Sequence, residues 1–378
     1  MALLKPFRAL RYDPGTAGPL DNLVAPPYDV VSPELRARLL AASPYNAVRL
    51  IRPEEPEDAA EALGAWREAG ALVREERPAV WLLEDLFEGP DGVARSRRGV
   101  VARVKLEPYS AGLVLPHERT FPAPKEARLR LLRAVRTKLS PIFMIHDGPG
   151  PALDPDRPPD LEATLNGVTS RLWRVGDPAG IDAVLGSVGS PLLIADGHHR
   201  YEAALRFHEE DGGEETAHVL AGLVSRWDDG LVIFPTHRMI EGFVPDLDGP
   251  YSVTPLGRGA AEAVERLARA PRDRPAFVLL RRDGALLAEA RSAGAGVLDS
   301  LDTVAVDRLA LDDVTFTASA VEAERAVSSG AATAAFLVRA PTVEQVEAVA
   351  LAGETMPQKS TYFFPKLASG LLFAPFDE

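Results

Sequence analysis

The stretch from residue 192 to 205, Leu-Leu-Ile-Ala-Asp-Gly-His-His-Arg-Tyr-Glu-Ala-Ala-Leu, constrains the fold more than any other part of the chain. Pro191 to Ala195 is a short, continuous apolar run, the pattern of a buried strand. Gly197 permits a tight turn, and His198 to Glu210 then reads as a helix. A strand that hands over to a helix through so short a turn belongs in a mixed α/β protein. The turn also gathers unpaired N–H groups and the positive end of a helix dipole, a natural place for a phosphate.

The side chains of the turn suit the same purpose. Arg200 offers a planar fork of donors in the first helical turn. His198 shares a helical stripe with Tyr201, Leu205 and His208, whereas His199 points elsewhere, so one histidine is expected to meet a ligand and the other the fold. Asp196 either caps the helix or serves chemistry, as a carboxylate base or as a ligand for Mg²⁺. An aspartate, two histidines and an arginine are costly to desolvate together without a ligand, which favours function here.

The rest of the chain supports an α+β architecture with additional α/β regions. Met1 to Leu50 is rich in proline and reads as extended segments and turns, until Ser32-Pro33-Glu34 opens a short helix. Glu57 to Glu75 reads as an amphipathic helix carrying Ala60, Leu63, Trp66 and Ala69. Val80 to Phe87 and Arg98 to Leu106 read as strands joined by Gly89-Pro90-Asp91-Gly92. A helix is expected from about Lys125 to Lys138, then strands at Pro141 to His146, Ala217 to Ser225 and Leu231 to Phe234, with a surface loop over Gly148 to Pro159. The expected division is a phosphate-binding core over 1–250, a smaller α/β region over 251–350, and a strand-like tail over 351–378 returning to the core.

The absence of cysteine excludes disulfides and thiolate metal sites, and without a His-x-x-x-His pair no structural zinc site is expected. The segment from Met1 to Tyr12 has no apolar core of a secretory signal, and no apolar run is long enough to span a bilayer; a soluble, cytoplasmic protein is expected. The net charge of −13 disfavours nucleic acid and anionic membranes as partners. One basic element stands out: Arg119, Lys125, Arg128, Arg130, Arg133, Arg136 and Lys138 occur against Glu126 alone, which suggests a small anion rather than a long polyanion.

Three further constellations could carry chemistry. His117 and Glu118 precede the basic helix, at whose start Lys125 and Arg128 oppose the dipole; either a bound phosphate or a neighbouring Glu118 or Glu126 must compensate. Lys359 and Ser360, in Met356-Pro357-Gln358-Lys359-Ser360-Thr361, either hold a phosphate or lie on a solvated edge strand; the glycine spacing of a P-loop is missing. Pro26-Pro27 holds Tyr28 and Asp29 in a rigid turn, suited to a catalytic carboxylate or to plain structure. Pro235-Thr236-His237-Arg238 reads as structural.

Taken in order, Lys5–Tyr12, Val24–Ser32, Ser43–Asn46, His117–Thr120, Ala195–Tyr201 and Pro357–Phe363 resemble the bacterial and archaeal family called domain of unknown function 1015. The Asp196–Arg200 turn is also similar to the nucleotide-binding turn of the ParB/sulfiredoxin superfamily, which includes free-serine kinases. The turn lacks the cysteine of its sulfiredoxin version and the chain lacks a clear helix-turn-helix, which counts against sulfinic-acid reduction and against a DNA clamp. The resemblance implies a ParB/sulfiredoxin-like nucleotide-binding core and a kinase making O-phospho-L-serine from free L-serine or another small hydroxyl compound, with ATP, ADP or pyrophosphate as donor and Mg²⁺ as companion.

On that reading Gly197, His198, His199, Arg200, Lys125, Arg128, Lys359 and Ser360 would hold the donor. Glu118 would take the hydroxyl proton, with Asp29 and Asp196 as alternatives and His198 as a further catalytic candidate. A non-catalytic nucleotide-binding module and a phosphoester hydrolase are the other readings.

Overall fold

The computed structural model describes residues 3–153, 157–247, 249–257 and 259–376; part of the loop expected over 148–159, and the first two residues, lie outside the described residues. Two compact units form, one from Met1–Pro116, Thr120–Leu231 and Pro365–Glu378, the other from His117–Arg119 and Val232–Phe364. These limits differ from the expected division at 250 and 350. The strand His237–Ile240 pairs with both Ala334–Val338 and Thr315–Thr317, which draws the chain before residue 250 into the second unit.

The first unit is built on a mixed sheet of nine strands among the described residues. Its order is Val114–Leu115, Leu192–Asp196, Ile142–His146, His218–Ser225, Ala94–Lys105, Val80–Glu88, Val168–Val175 and Leu161–Leu165, with Leu4–Lys5 also paired to Ala94–Lys105. Leu192–Asp196 runs parallel to Val114–Leu115, and His218–Ser225 parallel to Ile142–His146. The expected hairpin forms in register, Trp81 opposite Val101 and Glu88 opposite Ala94. Helices Pro122–Val135 and His198–Asp211 share one core with the sheet, in which Leu129, Leu132, Tyr201 and Phe207 join Val104 and Ala221.

Three expectations are corrected. The basic helix ends at Val135 because Arg136 adopts φ 42°, and Thr137–Lys138 instead forms a short strand with Ala374–Pro375. The helix expected over 57–75 is Pro56–Glu68, and Leu72–Arg74 pairs with Leu10–Tyr12. The tail is not one strand: among its described residues Tyr362–Phe364 and Ala374–Pro375 are strands, with single bridges from Ser369 to Ala25 and from Phe373 to Leu10.

The second unit is an antiparallel sheet in the order Tyr251–Leu256, Gly284–Ala290, Ala276–Arg281, Ala334–Val338, His237–Ile240, Thr315–Thr317. Strand alternation divides its core: Val278 and Leu280 meet helices Ala260–Ala268 and Ala320–Ser329, whereas Phe277 and Leu279 meet Ala305 and Val306. Among the described residues no helix is long and apolar enough to cross a membrane.

Candidate active site

The site grows from the turn that the sequence singles out. Asp196 ends its strand at a register irregularity after Ile194. Gly197 follows with φ 104° and ψ 24°, a conformation that side chains resist, and a β-carbon there would come within 2.9 Å of the Arg200 guanidinium. His198 then begins a helix running to Asp211. No side chain caps this helix start at Gly197.

Arg200 turns inward along its own helix. Its Nη2 donates to Asp196 Oδ2 at 2.6 Å and its Nη1 to the Pro141 carbonyl at 2.5 Å. The second partner of Asp196 comes from the far end of the sequence: Lys366 Nζ lies 2.8 Å from Asp196 Oδ1 and 2.5 Å from Asp29 Oδ2. Lys366 thus ties together Asp29, held on its turn by Pro26-Pro27, and Asp196 at the strand end. Burial alone would raise the Asp196 carboxyl, but Lys366 and Arg200 overcome it and hold it far below the usual carboxylate range. Lys366 is the mirror case: burial would lower it, and Asp196 and Asp29 hold it well above an ordinary lysine.

Tyr28 and Arg128 complete the cluster. The Arg128 guanidinium sits 4.0 Å from the centre of the Tyr28 ring and donates to the Ile51 carbonyl at 2.7 Å. Arg52 donates to the Tyr28 carbonyl at 2.9 Å. Lys366, Arg200, Arg128 and Arg52 therefore outnumber the carboxylates Asp29 and Asp196, so the cluster carries excess positive charge.

The two histidines divide their roles as the helical geometry requires. His198 is buried beside Asp196 and helps to lower that carboxyl. His199 Nε2 accepts the Phe121 N–H at 2.9 Å and its ring stacks on Phe121, tying the two helix starts together; burial lowers its pKa. Lys125 is neutralised by Glu202 at 3.1 Å, an oxygen that Thr120 also reaches at 2.7 Å.

The basic helix is therefore not an open anion patch. Arg133 pairs with Glu210 at 2.7 Å, Arg136 with Asp211 at 3.0 Å, and Glu126 with Arg206 at 3.1 Å. Glu202 of His198–Asp211 supplies the charge that compensates Lys125, and Glu126 also lies 3.6 Å from Arg133.

Glu118, Lys359 and Ser360 belong to the second unit. There Glu118 forms a parallel bridge with Met356, His117 Nε2 lies 3.0 Å from Thr361 Oγ1, and Lys359 takes φ 57°. The Ser360 hydroxyl is buried without a hydrogen-bond partner among the described residues. Asp29, Asp196, Gly197, His198, His199, Arg200, Lys125 and Arg128 belong to the first unit.

Sequence reasoning missed Lys366, and gave Tyr28 no role beyond its place in the rigid turn beside Asp29. Lys366 left a signal: it follows Pro365 and stands between Phe363-Phe364 and Leu367, and a lysine set among apolar residues needs a buried carboxylate.

As a Mg²⁺ ligand Asp196 does not fit. Both its oxygens are held by cations, at 2.6 and 2.8 Å, which would repel a divalent ion. Among the described residues no group of three or more His, Asp or Glu is arranged to hold a metal.

No curated protein matches the chain. Among solved structures it is similar to a free serine kinase in complex with AMP, at 15% identity and a TM-score of 0.40, over 70% of this chain and 86% of that one. It is also similar to a conserved hypothetical protein from Pyrococcus furiosus, at 16% identity and a TM-score of 0.38, over 72% and 95% of the two chains. A third similarity is to C-terminally truncated SbnI from Staphylococcus aureus, at 12% identity and a TM-score of 0.38, over 73% and 87%. Residues 4–304 match the sequence model of one family, and the chain belongs to it: the protein of unknown function family DUF1015.

Proposed function

We propose that the Asp196 turn is the reaction centre of a small-molecule phosphotransferase, most concretely a kinase that phosphorylates free L-serine with ATP, ADP or pyrophosphate as donor. The observation that carries this reading is Lys366 held between Asp29 and Asp196 at the start of the His198–Asp211 helix. Phosphoryl transfer asks for positioning and neutralisation of charge more than for covalent chemistry. Excess cationic charge beside an uncapped helix start offers both to a donor phosphate.

In the reaction the serine hydroxyl oxygen forms a bond to phosphorus, and the bond to the donor's leaving oxygen breaks. The hydroxyl proton passes to a carboxylate. Asp29 takes that role in preference to Glu118, because Asp29 is one-third exposed within the cluster. Asp196, far below the usual range, is a poor acceptor and acts as the anchor for Lys366 and Arg200. Arg200 spends two of its five donors on protein oxygens, so we assign it to holding the turn and give the donor phosphate to Lys366, Arg128 and the helix N–H groups.

The test is phosphoryl transfer from labelled ATP, ADP or pyrophosphate to L-serine by purified protein. Labelled O-phosphoserine supports the reading. Donor binding without turnover would replace it with a nucleotide-binding module, and release of phosphate without an acceptor with a hydrolase.

A further inference from the structure

Gly222 stands in the interior strand His218–Ser225, opposite Val101 on one side and Phe143 on the other. A strand buried along its whole length normally carries β-branched or larger residues, and a glycine inside it weakens it. Here the glycine has a reason. A β-carbon at this position would lie 2.5 Å from Leu367 Cδ1, well inside the roughly 3.5–4.0 Å of ordinary carbon contact. Leu367, which is buried, therefore sits in a notch that Gly222 leaves in the sheet. The cavity beside it, bounded also by Leu83, Val101 and Leu220, has about 20 Å³ open to water-sized molecules, room for about one water and not for an isobutyl group.

Leu367 follows Lys366, and the notch lies in the same row of the sheet as a partner of that lysine. Gly222 pairs with Phe143, and Phe143 with Asp196, so the notch is two strand spacings, about 10 Å, from the carboxylate. The next residues fix the same segment to the rest of the cluster. Ser369 exchanges two backbone hydrogen bonds with Ala25, at 2.8 and 3.0 Å, just before the Pro26-Pro27 turn that carries Asp29. Its hydroxyl oxygen lies 2.6 Å from that of Ser140, next to the Pro141 whose carbonyl takes Arg200. A lysine side chain has much rotamer freedom to lose, so holding its ammonium on two carboxylates is easier from a fixed backbone.

We propose that Leu367, seated on Gly222, is a positioning residue that sets the reach of Lys366 to Asp196 and Asp29. Its bearing on catalysis rests on the phosphotransferase reading, whereas the placement of the ammonium does not. A methyl group at Gly222 has to push Leu367 by about 1 Å to restore contact distance, and a misplacement of that size costs about 10²-fold in rate.

The experiment is acetylation of the full chain by a trace of N-hydroxysuccinimidyl acetate at pH 8, with the rate at each lysine read by peptide mass spectrometry. It uses no donor or acceptor, so its outcome is separate from that of the kinase test. In the wild type Lys366, charged between two carboxylates, should react slowly. Gly222→Ala should raise its rate about tenfold or more, since an ammonium drawn away from Asp196 gives up its proton more readily. Lys138 is buried and pairs with Ala374 further along the tail, so it reports peeling of the whole tail and should not change. Adding Leu367→Val to Gly222→Ala removes about the volume that the alanine adds and should return Lys366 towards the wild-type rate. Leu367→Ala leaves the strand untouched and should also raise the rate at Lys366. Serine turnover should fall about 10²-fold in Gly222→Ala. The inference is overturned if either folded single variant labels Lys366 at the wild-type rate, if Lys138 rises in step, or if the double variant reacts as fast as Gly222→Ala. The expected labelling pattern in a wild type that never phosphorylates serine would end the phosphotransferase reading and uphold this placement of Lys366.

Discussion

Lys138 makes a quantitative prediction about stability. Replacing it with Met keeps the length and removes the charge. In the unfolded chain the lysine titrates near 10.5, whereas burial lowers it to about 7 in the fold. Between those values the unfolded state binds a proton that the folded state does not, so wild-type stability rises with pH across that window. Below pH 7 the penalty is present in full. Each pH unit well inside the window is worth about 1.4 kcal/mol, and with the folded lysine half protonated at pH 7 the advantage of Lys138→Met over wild type should shrink by about 2.3 kcal/mol from pH 7 to pH 9. Urea denaturation followed by tryptophan fluorescence is the assay, because Trp66, Trp81, Trp173 and Trp227 all belong to the first unit. A stability difference that stays constant from pH 6 to 9 would refute the reasoning, since it would mean that Lys138 keeps its proton in the fold.

Arg97→Met should cost about 3–5 kcal/mol in the same assay, because it leaves the buried Asp85, 2.7 Å from Arg97 in the wild type, with the Ser170 hydroxyl in place of a charge partner. Burial lowers His146 to about 4, so the unfolded chain takes up a proton below 6.5 that the folded ring refuses; stability present above pH 6.5 should fall by up to about 3 kcal/mol on acidification to pH 4, and His146→Asn should flatten that slope. Gly197→Ala should lose about 2 kcal/mol by urea denaturation, since it combines a φ of 104° with a β-carbon pressed against Arg200.

What was legible in the sequence was local. The 80–106 hairpin, the Ser32 cap and the strand–Gly197–helix element each follow from residues close to one another, and each forms as expected. What was not legible depends on partners distant in sequence. Lys366 lies 337 positions from Asp29, and no periodicity announces that pair. The Lys125–Arg136 cations looked like a ligand patch because the acidic face that meets them, Glu202, Glu210 and Asp211, is on another helix. Arg128, at the start of the basic helix, meets a tyrosine face and a carbonyl, neither of which neutralises its charge. The helix end was missed because Arg136 takes a left-handed conformation that glycine more often supplies.

The central claim is that Lys366, between Asp29 and Asp196, serves phosphoryl transfer. It is tested most directly by the rate of O-phosphoserine formation, followed by ³¹P NMR, in wild type and Lys366→Met, with Lys366→Arg as the charge-keeping control and melting temperatures measured for all three. Turnover is expected in wild type, with a fall of about 10²-fold or more in Lys366→Met, on the scale of losing one electrostatic stabiliser, and partial recovery in Lys366→Arg. Folded Lys366→Met that makes O-phosphoserine at the wild-type rate would contradict it.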